Sequence, residues 1–113
     1  MPEEYGVVIT GPAEADIAGI VDYIALDDVV IAKRILKRLK AKIDSLAAFP
    51  GKGHYPPELL AFNIKDYREV TEKPWRIIYK ISAAEVHILA VIDSRRNVQE
   101  VLIEKLLDGQ NFS

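Results

Sequence analysis

The stretch Trp75–Ile92, WRIIYKISAAEVHILAVI, decides the fold. Its first half alternates apolar and polar side chains, as a half-buried strand does, and its second half is a nearly continuous apolar run. The small residues Ser82-Ala83-Ala84 separate the halves and predict a tight turn between two antiparallel strands. Residues 67–72 also alternate and end at Lys73-Pro74, which indicates a third strand. We therefore predict an antiparallel meander in the second half of the chain.

Two helices are predicted before this meander. Residues 4–10 indicate a short first strand, and Thr10-Gly11-Pro12 is a helix start signal because Thr and Gly cap helices and Pro fits the first helical position. The first helix is expected to end around Ala25–Leu26. Asp27-Asp28 supplies a turn and an N-cap for a second helix from Val29 to Ala48, which Pro50 terminates. So short a turn makes the two helices antiparallel neighbours.

The remaining segments complete one α+β domain. Residues 51–58 form a Gly- and Pro-rich loop, and residues 60–64 fit either a strand or a single helical turn. A short C-terminal helix is expected from Val98, closed by Gly109. No linker or repeat divides the chain, so residues 1–113 are predicted to form a single domain in which a helical hairpin packs on an antiparallel sheet.

Composition excludes several classes of function. The chain of 113 residues carries 15 Lys and Arg against 17 Asp and Glu, a net charge of −2 that does not favour nucleic acid as a partner. It has no Cys, hence no thiolate metal site, and its two His are far apart, so no metal site and no cofactor are expected. No apolar run approaches the ~20 residues of a membrane span, and no signal peptide is recognisable at the N-terminus, so a cytoplasmic protein without membrane association is expected.

Four arginines are the main candidates for function. Arg68 and Arg76 belong to neighbouring predicted strands, and we expect them to share one sheet face, with Arg95 and Arg96 following the last strand. Such a group would grip phosphates or carboxylates. The alternative is that Arg68 and Arg76 pair with acidic residues across the sheet. The residues themselves leave both interpretations open.

The other charged residues are weaker candidates. His54 lies in the Gly/Pro loop, where an imidazole is suited to acid–base work, whereas His87 is expected to be a partly buried strand residue. The second helix carries a basic face between Lys33 and Lys42. We interpret it as a solvated face, because no aromatic or polar side chains that could contact nucleic-acid bases lie between its basic residues.

Taken in order, the chain resembles the RelE/ParE superfamily of toxin-antitoxin toxins. No single motif is specific, but their ordered set is. The segments that carry the resemblance are Pro12–Ala25, Leu46–Leu59, Tyr67-Arg68-Glu69-Val70, Trp75-Arg76-Ile77-Ile78-Tyr79 and Val86–Asn97.

The resemblance implies a strongly curved antiparallel sheet that carries an N-terminal helical hairpin. It also implies the toxin of a two-gene module, a plasmid-stabilisation system, neutralised by a small antitoxin with a segment that folds on binding. Exposed apolar surface beside the basic sheet face would be the docking site. Oligomers would form mainly with the antitoxin, and operator DNA would be bound only through it.

The superfamily has two branches with different targets. RelE-like members are messenger RNA endoribonucleases that act in the ribosome, and by that resemblance Arg76, Arg95, Arg68 and His54 would be catalytic. Thr71 stands where a further cation is expected, and no Tyr or His follows Arg96. ParE-like members bind DNA gyrase and need no catalytic residues, so the chain would be an enzyme only in the RelE-like case.

The chain looks closer to the ParE-like branch. The loop around Gly53-His54, the ending Ser94-Arg95-Arg96-Asn97 and the near-neutral charge favour it. Arg68, Arg76, Arg95 and Arg96 are then expected to bind the target. A degenerate toxin that binds antitoxin but is inert is the remaining alternative.

Overall fold

The computed structural model describes residues 4–107. Four strands and four helices follow one another in chain order: β1 (Gly6–Ile9), α1 (Gly11–Ala25), α2 (Val29–Asp44), α3 (Pro57–Leu60), β2 (Arg68–Glu72), β3 (Trp75–Ser82), β4 (Glu85–Asp93) and α4 (Val98–Leu107). Two single 3-10 turns, Ser45–Ala47 and Pro50–Lys52, lie between α2 and α3.

The sheet has the strand order β1-β4-β3-β2. The antiparallel pairing of β2 with β3 and of β3 with β4 confirms the meander. β1 pairs with β4 in parallel, from Gly6 beside Glu85 to Ile9 beside Ile88, so this edge makes the sheet mixed. A parallel neighbour requires a long connection, and here the helical hairpin and the rest of the meander provide it.

Two side-chain caps fix the helical hairpin, as the sequence predicts. Thr10 is the N-cap of α1, and its Oγ1 accepts a hydrogen bond from Ala13 N at 3.4 Å while donating one to Ile88 O at 2.7 Å. Asp28 caps α2 by accepting from Ile31 N at 3.0 Å. The first of these caps also attaches the start of α1 to β4.

Apolar side chains pack on both faces of the sheet. The α1–α2 hairpin and the 3-10 turn that follows it cover one face, where Leu39, Ile43 and Leu46 meet strand residues such as Ile77 and Ile88. α3 and α4 cover the other face, and their contributions to this second cluster are Leu59, Val98, Val101 and Leu102, packed with Ile78, Ala90 and Ile92. Alternate residues of β3 and β4 therefore enter different cores.

Several boundaries differ from the sequence expectations. α2 ends at Asp44 rather than Ala48, because the chain tightens into the 3-10 turn Ser45–Ala47. Both alternatives for residues 60–64 are wrong: only Leu60 belongs to a helix, α3, which begins at Pro57, and residues 61–63 form a turn. Gly109, the expected end of the last helix, lies outside the described residues. Within residues 4–107, no helix is long and apolar enough to cross a membrane.

Candidate functional site

Arg76 is the centre of an ionic network that joins several elements. Its Nε donates to Glu69 Oε1, and its Nη2 donates to Glu69 Oε2 at 3.1 Å. The guanidinium also makes a bidentate pair with Glu58, donating from Nη1 to Oε2 at 2.7 Å and from Nη2 to Oε1 at 2.8 Å. Its remaining N–H, on Nη1, donates to Arg96 O at 2.9 Å. All five N–H donors of Arg76 are thus engaged.

Glu58 holds the start of α4 as well as Arg76. Its Oε2 accepts a hydrogen bond from Val98 N at 3.0 Å. Hydrogen bonds from Arg76 lower the pKa of Glu58 from 4.5 to about 2, against the opposing effect of burial. The same pair raises the pKa of Arg76 above its ordinary value. Both groups therefore stay charged at neutral pH, and they tie α3, β3 and α4 together.

His54 and Glu69 form a dyad at the rim of this network. His54 Nε2 lies 3.0 Å from Glu69 Oε2, and the two backbones form an isolated bridge with N–O distances of 3.0 and 2.8 Å. The Glu69 side chain is 4% exposed, whereas the His54 side chain is 65% exposed. A buried carboxylate thus orients a solvent-accessible imidazole, an arrangement that can support acid–base chemistry.

Arg95 and Arg96 lie in the turn after β4 and are exposed. Arg95 pairs with Asp93, from Nε to Oδ1 at 2.9 Å, and this contact lowers the pKa of Asp93. Arg96 Nη2 pairs with Glu104 Oε1 on α4 at 3.0 Å. The side chains are 89% and 48% exposed, so a partner with suitable acceptors can replace these weak surface pairs.

Arg68 does not share a sheet face with Arg76, so the expected cluster of four guanidiniums on one face is wrong. In the β2–β3 register Arg68 lies opposite Tyr79, and Arg76 lies opposite Thr71. Paired residues share a face and successive residues alternate, which places Arg68 and Arg76 on opposite faces. The sequence pattern gave the alternation within each strand but not the register between them.

Neutral partners hold Arg68 in its own position. Its Nη1 donates to Gly53 O at 2.9 Å, its Nη2 donates to Tyr55 Oη at 3.2 Å, and its guanidinium carbon lies 4.6 Å from the centre of the Tyr55 ring. The pairing alternative is therefore correct for Arg76, which binds Glu69, and incorrect for Arg68.

The basic face of α2 is solvated, as expected. Arg38 pairs with Glu72 at 2.7 Å, and Lys42 is 3.9 Å from the same carboxylate, so these two attach α2 to the end of β2. The other four basic residues of the face, Lys33, Arg34, Lys37 and Lys40, are exposed.

The described part of the chain contains no group of three or more His, Cys, Asp or Glu side chains that would hold a metal ion. His87 is half-buried in β4, and its Nε2 lies 3.2 Å from Glu85 Oε1.

Exposed apolar side chains concentrate at the turn between α1 and α2. Tyr23 is 78% exposed, Leu26 87% and Val30 65%, with Val29 beside them. This apolar hairpin tip lies on the helices, and Tyr23 also lines a cavity with Trp75 and Asp93. Single exposed apolar residues need no explanation, but a contiguous group marks a contact surface.

Sequence reasoning missed the role of Glu58. The two prolines before this residue favour a loop, and its partner Arg76 lies 18 residues later. The available signal is the order Pro57-Glu58, since Pro suits the first turn of a helix and Glu is favourable near its start.

Comparison with known proteins places the chain in a family. The sequence model of the ParE toxin family, described as the ParE toxin of the type II toxin-antitoxin system parDE, matches residues 7–98. Toxin ParE3 of Caulobacter vibrioides is 28% identical over 88% of this chain and 96% of its own length. Toxin RelE2 of the same species is 35% identical over 80% of this chain and 96% of its own length.

The fold agrees with these sequence matches. A solved structure titled as the chromosomal ParDE TA system from P. aeruginosa superposes with a TM-score of 0.66 and 20% identity, covering 80% of this chain and 96% of that chain. The resemblance inferred from the ordered motifs is therefore confirmed. The chain belongs to the ParE toxin family, within the ParE/RelE superfamily of type II toxin-antitoxin toxins.

Proposed function

We propose that this toxin inhibits growth by binding DNA gyrase through the surface around Arg95 and Arg96. The observation that carries the proposal is the engagement of Arg76. Cleavage of RNA by its 2′-hydroxyl needs cations free to stabilise the negative charge that develops on the non-bridging phosphate oxygens. All five N–H donors of Arg76 form hydrogen bonds with Glu58, Glu69 and the Arg96 carbonyl oxygen. A target bound by protein–protein contact does not require those donors.

In this proposal the four sequence-predicted arginines have different roles. Arg95 and Arg96 contact the target, because their side chains are exposed and their ion pairs are readily exchanged. Arg76 is a positioning residue, since its bond to Arg96 O fixes the turn that carries the two contact residues. Arg68 lies apart from that surface and is not required for it.

The test compares the two targets directly. The purified toxin is added to gyrase with relaxed plasmid DNA and, separately, to a translating extract with a labelled messenger. We expect loss of supercoiling or accumulation of cleaved plasmid, with the messenger intact. Messenger cleavage without an effect on gyrase would overturn the proposal.

Matched variants test the contact residues. Arg95→Ala combined with Arg96→Ala is expected to reduce gyrase inhibition about tenfold or more, because central arginines often dominate an interface. Arg34→Ala removes one exposed cation from α2 and is the control, expected to retain full potency. Equal potency of the double variant and the control would exclude these residues from the contact.

We further propose that a cognate antitoxin neutralises the toxin by covering the apolar hairpin tip. Tyr23, Leu26 and Val30 offer an exposed apolar surface that a segment folding on binding would bury. Co-expression with the small gene next to the toxin gene should yield a complex. Tyr23→Ser with Leu26→Ser is expected to weaken it, whereas Phe62→Ser, at a separate site that is 65% exposed, should not. The reverse result would place the antitoxin elsewhere.

Ribosome-dependent RNA cleavage remains the second candidate function. It is favoured by the His54–Glu69 dyad and by the 35% identity to a relative named as a RelE toxin. In that case His54→Gln should abolish messenger cleavage in the translating extract while leaving the folded state intact, because the side chain is largely exposed. Absence of any growth effect on expression would instead favour the inert alternative.

A further inference from the structure

One side of α2 carries a row of lysines. Lys33, Lys37 and Lys40 follow one another at spacings of four and three residues, so they lie on the same side of the helix, and all three are exposed. With a rise of 1.5 Å per residue, the row is about 10 Å long. The opposite side of α2 is buried in the core, which holds the row towards solvent.

α2 concentrates the positive charge of the chain. It contains six of the 15 basic residues and one of the 17 acidic residues, a formal charge of +5. The rest of the chain has nine basic and 16 acidic residues, a formal charge of −7. The net charge of −2 therefore conceals a strongly basic helix. Because the Debye length is about 8 Å at physiological ionic strength, a ligand on α2 interacts with the row more strongly than with acidic residues farther away.

The three lysines of the row have no acidic partner among residues 4–107. By contrast, Arg38 and Lys42, on the flank of the same helix, both pair with Glu72. Like charges that are three or four residues apart repel one another on a helix, so the row is locally unfavourable until a polyanion neutralises it. The row is therefore a surface on which a polyanion gains both attraction and relief of this repulsion.

The composition of α2 indicates which polyanion fits. The helix contains no aromatic, amide or hydroxyl side chain. Proteins that bind single-stranded nucleic acids stack the bases on aromatic rings, so a single strand lacks its usual contacts here. Contacts to the phosphates of a duplex need only cations, and they carry no sequence information. A straight, rigid row of cations thus matches the backbone of a double helix.

We propose that Lys33, Lys37 and Lys40 form a contact surface for the phosphate backbone of duplex DNA. Lys33 and Lys37 are the principal contacts, because Lys40 also lines a groove with the acidic residues Glu14 and Asp22 of α1. The contact is independent of base sequence and of which target the toxin inhibits. It goes beyond the expectation that DNA is bound only through the antitoxin.

Fluorescence anisotropy provides the test, with the purified full chain titrated onto a short labelled duplex. We expect a dissociation constant of about 10⁻⁴ to 10⁻⁶ M, the range of sequence-independent binding. Each lysine–phosphate contact contributes about −0.9 to the slope of log K against log salt concentration, so two or three contacts give a slope of about −2 to −3. A second duplex of unrelated sequence should bind equally well.

Matched variants identify the surface. Lys33→Gln combined with Lys37→Gln should weaken binding about tenfold or more and bring the salt slope closer to zero by about 2. Gln and Lys have similar helix propensities, so the fold should be retained. The control is Lys65→Gln combined with Lys80→Gln, which makes the same change in net charge outside α2 and should leave the affinity within about twofold.

A change of opposite sign provides an independent check. Asp44 is the one acidic residue of α2 and lies four residues after Lys40, so it continues the row. Asp44→Asn should tighten DNA binding, because it removes a charge that repels phosphate. This variant keeps the test decisive if the double lysine variant is unstable, which thermal unfolding reveals.

Three results would overturn the proposal. They are the absence of duplex binding by the wild type, equal weakening by the α2 variant and its control, and a salt slope that the α2 variant leaves unchanged. Poly-glutamate is the probe for an acidic polypeptide. If it displaces the labelled duplex as effectively as unlabelled duplex does at equal concentration of charge, the row is instead a surface for an acidic protein. Weaker displacement supports DNA.

Discussion

At the scale of single residues, the main role of Arg76 is to stabilise the fold through its ion pairs. Its side chain is 11% exposed, and it faces Glu69, whose side chain is 4% exposed. Removing one partner of a buried ion pair leaves an uncompensated charge, which is far more costly than losing a surface pair. A fall in toxicity caused by an Arg76 variant would therefore report folding as much as target contact.

We predict that Arg76→Met lowers the free energy of unfolding by about 3 kcal/mol, because it leaves the carboxylates of Glu58 and Glu69 without their cationic partner. Urea denaturation measures the change. The control is Arg95→Ala, which breaks an ion pair of an 89% exposed side chain and should leave the free energy of unfolding nearly unchanged. Similar losses for the two variants would show that the network around Arg76 is not a stabilising one.

Gly53 is required for a different physical reason, namely space. A Cβ added at Gly53 would lie 2.5 Å from both Glu69 O and Tyr79 Oη. Gly53 has an ordinary φ of −74°, so backbone strain plays no part. The close approach lets Gly53 N donate to Tyr79 Oη at 3.0 Å, while this hydroxyl donates to Pro50 O at 2.6 Å.

Gly53→Ala is accordingly expected to destabilise the chain by about 2 kcal/mol, a typical cost of overpacking. Gly51→Ala is the matched control, since a Cβ there meets nothing within 4 Å. Thermal unfolding of both variants provides the measurement. If they unfold at the same temperature, the loop can move away from Tyr79 at little cost.

At the scale of secondary-structure elements, local signals placed the helices and strands, and tertiary contacts fixed how they join. The caps at Thr10 and Asp28 and the alternation of β2 and β3 were readable because each depends on neighbouring residues. The parallel pairing of β1 with β4 was not readable, since it joins residues 79 positions apart. The end of α2 was misplaced because a 3-10 turn has nearly the same sequence pattern as a helix.

Thr10 joins α1 to β4 through one hydroxyl, and we predict that Thr10→Val lowers the free energy of unfolding by about 1–2 kcal/mol. The variant removes both the cap of α1 and the bond to Ile88 O. Thr10→Ser keeps the hydroxyl and should recover most of the loss. Comparison of their denaturation midpoints separates the hydrogen bonds from the packing of the methyl group. A loss for Thr10→Ser with none for Thr10→Val would assign the effect to packing of the methyl group instead.

At the scale of the whole molecule, the sheet is covered on both faces, and Glu58 links the α3–α4 layer to the strands. The pKa of Glu58 is lower in the folded state, about 2, than its ordinary value of 4.5. A depressed carboxyl pKa stabilises the fold fully above the unfolded-state pKa, and this contribution is lost as pH falls through the folded-state value. The relevant window is therefore about pH 4.5 to 2.

The predicted outcome is a pH-dependent difference between the wild type and Glu58→Gln. The wild type should be more stable by a constant amount above about pH 5, and the difference should shrink as the pH falls through 4.5 towards 2. Urea denaturation at several pH values measures both proteins. A difference that does not change with pH would mean that Glu58 acts through shape rather than charge.

The sequence by itself determined the meander, the helical hairpin and the family, because these depend on local periodicity, capping residues and the order of short motifs along the chain. Only the tertiary structure decided what each arginine does. The face on which Arg68 lies depends on the strand register, and the partners of Arg76 are 7 and 18 residues away. A shift of the strand register by one residue moves every side chain of the strand to the other face of the sheet. No pattern within one strand could therefore have placed Arg68 and Arg76 on opposite sides.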